Sequence, residues 1–192
     1  KRVDVALYNL AVVVDDEAMK ISHVIRGEDH IANTPKQMLL IEALGFSLPM
    51  YAHLPLILGK DRSKLSKRHG ATSIIEYREI GYLPEALFNF MALLGWNSGT
   101  AQEIFSRDEL ISQFSLEKVQ KSGAIFDVMK LDWMNGEYIR MRTPKELFDI
   151  SMDFFPKEYK GKDESYNIDV LALEQPRLKK LSEIGERVGY FY

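Results

Sequence analysis

The sequence predicts an α/β segment followed by a mainly helical one. Three observations carry that reading: a strand–helix–strand pattern between residues 21 and 58, a series of helix-start signals after Gly70, and apolar runs that stay short throughout. With 192 residues, 46% hydrophobic and 28% charged, the chain suits one ordinary domain or two small ones.

Ala6 to Val14 is apolar and valine-rich, and its periodicity fits a strand or a buried helix equally. Ile21 to Arg26 alternates and ends in charged residues, as a strand does. Thr34 is placed to cap a helix with Pro35 in its first turn; Met38, Leu39, Ile41, Glu42 and Leu44 continue it, and Gly45 suits a left-handed stop. Tyr51 to Leu58 reads as a second buried strand, with Pro55 marking an edge or an irregular end. Together these form a βαβ unit with parallel strands and a right-handed crossover. Ligands of such sheets bind beyond the carboxyl ends of the strands, which singles out Arg26 to His30 and Gly59 to His69.

The helical part is punctuated at each start. Ser73 and Glu76 have capping-box spacing, with Gly81 as a stop. Pro84 opens an apolar helix through Leu94, closed by Gly95, and its Phe88, Phe90, Met91, Leu93, Leu94 and Trp96 are expected in the core. Ser106/Glu109 and Thr143/Glu146 repeat the box, the second with Pro144 in the first helical position, and Asp127 caps a helix containing Leu131, Trp133 and Met134. Tyr159 to Asn167 is polar and reads as a loop.

Charge informs more by location than by total. The net −3 does not suggest a general nucleic-acid binder, yet Lys60, Arg62, Lys64, Lys67 and Arg68, opposed within 60–69 only by Asp61, give that stretch +4 and leave −7 for the other 182 residues. A basic loop on an acidic background points to a specific anionic ligand. Zero cysteines exclude disulfides and thiolate metal sites in these residues. No apolar run approaches the roughly 20 residues of a membrane span, and no basic-then-apolar leader opens the chain, so an intracellular, cytoplasmic protein is expected. Asp15-Asp16-Glu17 reads as a solvated turn. His23, His53 and His69 lack ligand spacing, so no metal site is expected, and the loop after Leu58 lacks a Walker A glycine cradle.

Lys64-Leu65-Ser66-Lys67-Arg68 is the sharpest chemical feature. Lysines are mobile point charges suited to phosphates whose charge moves during a reaction, and a flexible loop lets them close on a ligand. The alternatives are a solvated loop or one gripping nucleic-acid backbone without catalysis. Arg26 offers a fork that matches a carboxylate, and Glu28, Asp29 and His30 could hold an amino group, ribose hydroxyls or an aromatic base. The alternative pairs Arg26 with a neighbouring acid and leaves the carboxylates at a helix start. Tyr8 either donates to a carboxylate or packs in the core.

Taken in order, Tyr8-Asn-Leu-Ala-Val-Val-Val-Asp-Asp16, His23-Val-Ile-Arg-Gly-Glu-Asp-His30, Asn33-Thr-Pro-Lys-Gln37, Ala52-His-Leu-Pro-Leu56, Lys64-Leu-Ser-Lys-Arg68, Gly81-Tyr-Leu-Pro-Glu-Ala86, Leu93-Leu-Gly-Trp96 and Lys130-Leu-Asp-Trp133 resemble the bacterial glutamyl-tRNA synthetases, which are class I aminoacyl-tRNA synthetases. The resemblance runs from about Tyr8 to Arg140, weakening from Met141 onward, and KLSKR resembles the class I KMSKS loop. It implies three parts: 1–59 as the second half of a Rossmann-like nucleotide-binding domain, 60–142 as the KMSKS-type loop and stem-contact domain, and 143–192 as the start of a helical anticodon-binding domain. It also implies activation of L-glutamate by ATP, with Mg2+ accompanying the nucleotide, and transfer of the glutamyl group to the 3′ end of tRNA(Glu).

By the same resemblance, Lys64, Ser66 and Lys67 would be catalytic. Asp29, His30, Ile57, Leu58, Lys67 and Arg68 would line the ATP site, and Tyr8 and Arg26 would hold glutamate. A monomer is implied. No HIGH-type motif stands between Lys1 and Tyr8, and the acceptor-end insertion is absent, so an interior piece of a longer enzyme, inactive alone, is expected. The competing expectations are a paralogue that glutamylates a modified tRNA base, which the helical continuation past Lys130 argues against, and a non-catalytic RNA-binding piece.

Overall fold

A computed structural model describes residues 6–66, 68, 70, 73–160 and 163–192. Lys67 and His69 lie outside the described residues. The chain divides into two compact units: Lys1–Leu56 with Lys121–Gly123, and Ile57–Gln120 with Ala124–Tyr192.

In the first unit the open question at Ala6 to Val14 resolves as helix: α1 is Tyr8–Ala18 and buries Val13. Its last turns include Asp15, Asp16 and Glu17, which are therefore helical and not a turn; Glu17 accepts a hydrogen bond from the Ser47 N–H at 3.4 Å. Strand β1 (His23–Gly27) pairs in parallel with β2 (Met50–Leu54), His23 opposite Met50 and Gly27 opposite Leu54. Between them lie a 3-10 turn, Glu28–Asn33, and α2, Thr34–Leu44. Gly45 ends α2 in the left-handed region at φ 68°, donating back to Glu42 and Ile41 carbonyls, as a glycine there should.

Three expectations change. Asn33, not Thr34, flanks α2, and neither side chain caps it, because the Thr34 hydroxyl is taken by other partners. The strand expected over Tyr51 to Leu58 breaks at Pro55, which cannot donate to a ladder; β3 (Ile57–Leu58) then joins a different sheet in the second unit. Nor is β2 buried on both faces: Met50 and Leu54 are exposed and Tyr51 and His53 half-buried.

The second unit pairs β3 in parallel with β4 (Ala124–Ile125) and is otherwise helical. Helices α3 (Ile74–Ile80), α5 (Arg107–Gln113) and α7 (Pro144–Ser151) each begin with a complete capping box, from Ser73/Glu76, Ser106/Glu109 and Thr143/Glu146. Asp127 caps α6 (Val128–Arg140) by accepting from the Met129 N–H at 3.0 Å. Helix α4 (Pro84–Leu93) ends in right-handed conformation at Leu94, so Gly95 is not its stop. Phe90, Leu94 and Trp96 are core as expected, but Phe88 and Met91 are 50% and 51% exposed, on the opposite side of α4. The stretch expected as a loop over Tyr159 to Asn167 is largely helical: α8 is Lys157–Lys160 and α9 is Glu164–Glu174, which buries Asn167, Val170, Leu171 and Glu174. A polar sequence folds as helix here because one stripe of it meets the core.

Residues on both sides of position 143 share one hydrophobic cluster: Leu83, Ala86 and Ile139 pack with Leu147, Phe148, Leu171, Leu178, Leu181, α10's Ile184 and Val188, α10 being Ile184–Val188. A second cluster joins Tyr77, Tyr82, Phe90, Phe126, Leu131 and Met134, and a third Trp96, Phe105 and Leu110. Fully buried Asn135 ties the unit together, accepting from the Leu83 N–H at 2.8 Å and donating to the Lys179 carbonyl at 2.5 Å. Tyr82 donates to Asp132, which also pairs with Lys180 at 3.4 Å. Burial and that bond to a carboxylate raise the Tyr82 pKa above the ordinary tyrosine range.

Candidate active site

Strand β1 delivers Arg26 to the carboxyl end of the parallel pair, the position where such sheets bind ligands. Arg26 is half-buried and held by three partners. Its Nη2 donates to Thr34 Oγ1 and to Gln37 Oε1, both at 2.8 Å, and its Nε donates to His53 Nε2 at 3.4 Å. The guanidinium carbon lies 5.4 Å from the centre of the Tyr51 ring, which itself stacks on His53. A hydroxyl, an amide and an imidazole accepting through Nε2 leave the positive charge uncompensated; among the described residues no acid pairs with Arg26, and Nη1 makes no hydrogen bond. The alternative in which Arg26 pairs with a neighbouring carboxylate is therefore not what the structure shows. The fork is not free on both sides either, since Nη2 has spent both of its hydrogens.

Gln37, on the buried stripe of α2 with Ile41, is 1% exposed, and its Nε2 donates to Asn9 Oδ1 of α1 at 3.1 Å. Next to Asn9, Tyr8 places its hydroxyl 3.2 Å from His30 Nδ1, with the two rings 5.6 Å apart. Asn33 Nδ2 also approaches His30 Nδ1, at 3.4 Å. The Asn33 amide nitrogen can only donate, so the pair of contacts places two polar groups around the single Nδ1 lone pair of His30. The Thr34 hydroxyl reaches the His30 carbonyl at 3.3 Å and His53 Nε2 at 3.1 Å. One network thus joins Tyr8, Arg26 and His30, and Tyr8, 50% exposed, is not a core residue.

The acids of the turn have separate places. Glu28 accepts from the Leu56 N–H at 3.2 Å through one of its two oxygens, tying the two strand ends together. Asp29 is exposed, and a Cβ on Gly27 would stand 2.5 Å from its Oδ1, so the glycine leaves room for that carboxylate.

In the second unit the basic loop begins as an anchored turn. The Leu65 N–H donates to the Ile57 carbonyl at 2.9 Å, Lys64 bridges Leu58 in antiparallel fashion, and the Gly59 N–H donates to the Ser63 carbonyl at 2.8 Å. The Leu58 carbonyl accepts from the Phe126 N–H at 2.8 Å, so both carbonyls of β3 hold backbone partners. Arg62 takes the left-handed conformation at φ 61°, and Asp61 Oδ1 accepts from the Ser63 N–H and hydroxyl at 3.0 and 2.7 Å. Lys64 and Ser66 are exposed beyond this turn. Arg68 turns back on the loop, donating to Ser63 Oγ at 2.6 Å and pairing with Asp61 at 3.3 Å, while Lys60 lies 3.6 Å from Asp127.

Sequence reasoning passed over Gln37, Asn9 and His53 and gave Thr34 the wrong task. The available signal was Gln37 itself: an amide four residues before Ile41, on the face a helix buries, needs a polar partner.

The described residues thus present a parallel strand pair with an anchored arginine at its carboxyl end, then a basic turn and a set of packed helices. Residues 1–133 match the family described as tRNA synthetases class I (E and Q), catalytic domain, and the chain belongs to it. It is 52% identical over 190 residues to a glutamate–tRNA ligase of Dehalococcoides mccartyi strain CBDB1, covering 96% of this chain and 39% of that protein. It is likewise 53% identical over 188 residues to the glutamate–tRNA ligase of Aquifex aeolicus, covering 96% of this chain and 40% of that one. Among solved structures, glutamate-tRNA synthetase from Elizabethkingia anophelis superimposes with a TM-score of 0.84 at 34% identity, over 96% of this chain and 41% of that chain. A glutamate tRNA ligase from Elizabethkingia meningosepticum, in complex with its amino acid, gives 0.82 at 34% identity, over 93% and 39%. The chain thus spans about two-fifths of the length of the curated relatives it matches.

Proposed function

We propose that this chain is the part of a glutamate–tRNA ligase in which glutamate is held and ATP's phosphates are neutralised. The observation that carries the reading is Arg26, fixed by uncharged partners at the carboxyl end of a parallel strand with Nη1 open to an anion. Glutamate has two carboxylates, and Arg26 holds the one that does not react, with Tyr8 beside it. The other attacks the α-phosphate of MgATP, forming glutamyl-adenylate and expelling pyrophosphate, before the glutamyl group passes to the 3′ end of tRNA(Glu). An anion attacking an anion is accelerated mainly by positioning and charge neutralisation. Lys64, Ser66 and Lys67 supply the neutralisation; the resemblance gives Asp29 and His30 of the first unit, and separately the backbone of Ile57 and Leu58 of the second, as nucleotide contacts. Arg68, which contacts Asp61 and Ser63 here, is a further ATP contact in this reading.

In this reading 1–59 is the second half of the nucleotide-binding domain, 60–142 the loop and stem-contact part, and 143–192 the start of the anticodon-binding helices. ATP–pyrophosphate exchange by the full-length protein, with tRNA present, tests it. Exchange that depends on added glutamate supports the ligase reading; tRNA binding without exchange replaces it with RNA binding alone.

A further inference from the structure

The two acceptors on Arg26 Nη2 are neutral, and their arrangement is locked. Gln37 is buried, and its amide is fixed in one orientation: Oε1 faces the arginine while Nε2 donates to Asn9 Oδ1. Flipping the amide would set Nε2 against Arg26's donors and Oε1 against Asn9's oxygen, two repulsions in place of two bonds. Thr34, one turn earlier on α2, supplies the second acceptor. A carboxylate at either position would hold the guanidinium as firmly, but it would form a charge-assisted pair and consume the charge that an incoming anion needs.

We propose that Gln37 and Thr34 are positioning residues for glutamate: they immobilise Arg26 through Nη2 without neutralising it, so that Nη1 meets the substrate carboxylate with its charge intact. This rests on the reading of Arg26 as the carboxylate holder. The helix that follows the strand thereby sets the affinity of a site it does not itself touch.

The test is steady-state aminoacylation by the full-length protein, with glutamate and ATP varied separately. Gln37→Glu should raise the glutamate KM by about tenfold or more, with ATP KM unchanged and kcat within about threefold, the pattern of lost substrate binding and not of lost chemistry. Gln37→Met, which removes the amide but adds no charge, should raise it less. Thr34→Asp and Thr34→Val repeat the comparison at a half-buried position and decide the matter if the buried variants do not fold. A glutamate KM unchanged in the folded acidic variants, or a fall in kcat alone, overturns the proposal when Arg26→Ala does raise that KM. If Arg26→Ala leaves it unchanged, the carboxylate-holder reading itself fails.

Discussion

At the scale of single residues, the account turns on where positive charge is kept and where it is spent. Arg68 and Lys60 face acids within their own unit, whereas Arg26 is surrounded by uncharged acceptors. Arg26 stood out in sequence as a candidate because its segment leads to the carboxyl end of a strand, where such sheets bind ligands, with pairing to a neighbouring acid as the alternative. Its partners were not legible: Thr34 looks like a helix cap and His53 like an isolated histidine until α2 and β2 are folded against β1. The resemblance of KLSKR to the class I loop makes Lys67 the expected phosphate-neutralising group. Lys67→Ala in the full-length protein should slow glutamate-dependent pyrophosphate exchange by about 10²–10³-fold, the usual scale for losing one transition-state stabiliser. A loss under about threefold would mean that the loop binds without stabilising the transition state.

At the scale of elements, the helices of the second unit were readable because their starts are chemically explicit. Each capping box satisfies the N3 and N-cap N–H groups from side chains three residues apart, a purely local device. Thr143→Ala should cost about 1 kcal/mol in equilibrium unfolding. The box also has a pH signature. Backbone and hydroxyl hydrogen bonds from Ser106 and Thr143 hold Glu109 and Glu146 below the ordinary glutamate value of 4.5. The unfolded chain therefore takes up protons first, and the stability these carboxylates contribute is present above pH 4.5 and lost as pH falls below it. Denaturant titrations from pH 7 to 3.5 should show the gap between the parent and the Glu109→Gln, Glu146→Gln double variant narrowing towards the acid end; a constant gap would contradict it. What sequence misplaced were elements fixed by distant contacts. Pro55 ends β2, the short β3 is fixed by β4 far along the chain, and the helix over 164–174 by a core that its own polar letters conceal.

At the scale of the whole molecule, two units carry different features: one holds the arginine network, the other the loop and the helical core. Within the second, Gly81 joins separate parts of the chain. It ends α3 at φ 91°, and its carbonyl accepts from the Leu181 N–H at 3.1 Å. A Cβ there would stand 2.7 Å from the backbone nitrogens of Leu181 and Ser182. Gly81→Ala should therefore lower stability by about 1–3 kcal/mol, through left-handed strain and displacement of a backbone that cannot simply rotate away. Thermal unfolding checks this, and an unchanged midpoint would contradict the packing described. The class of the fold followed from strand–helix–strand spacing and helix punctuation, but its division at Leu56/Ile57 arises from contacts between distant segments. The most direct test of the central claim, that Arg26 keeps its charge for a carboxylate of glutamate, is a glutamate titration of pyrophosphate exchange at saturating ATP and tRNA, comparing the full-length protein with its Arg26→Ala variant. The account predicts a glutamate requirement shifted upward by at least about thirtyfold, since an unpaired buried carboxylate costs roughly 2–5 kcal/mol. Coincident glutamate curves for the two proteins would contradict it.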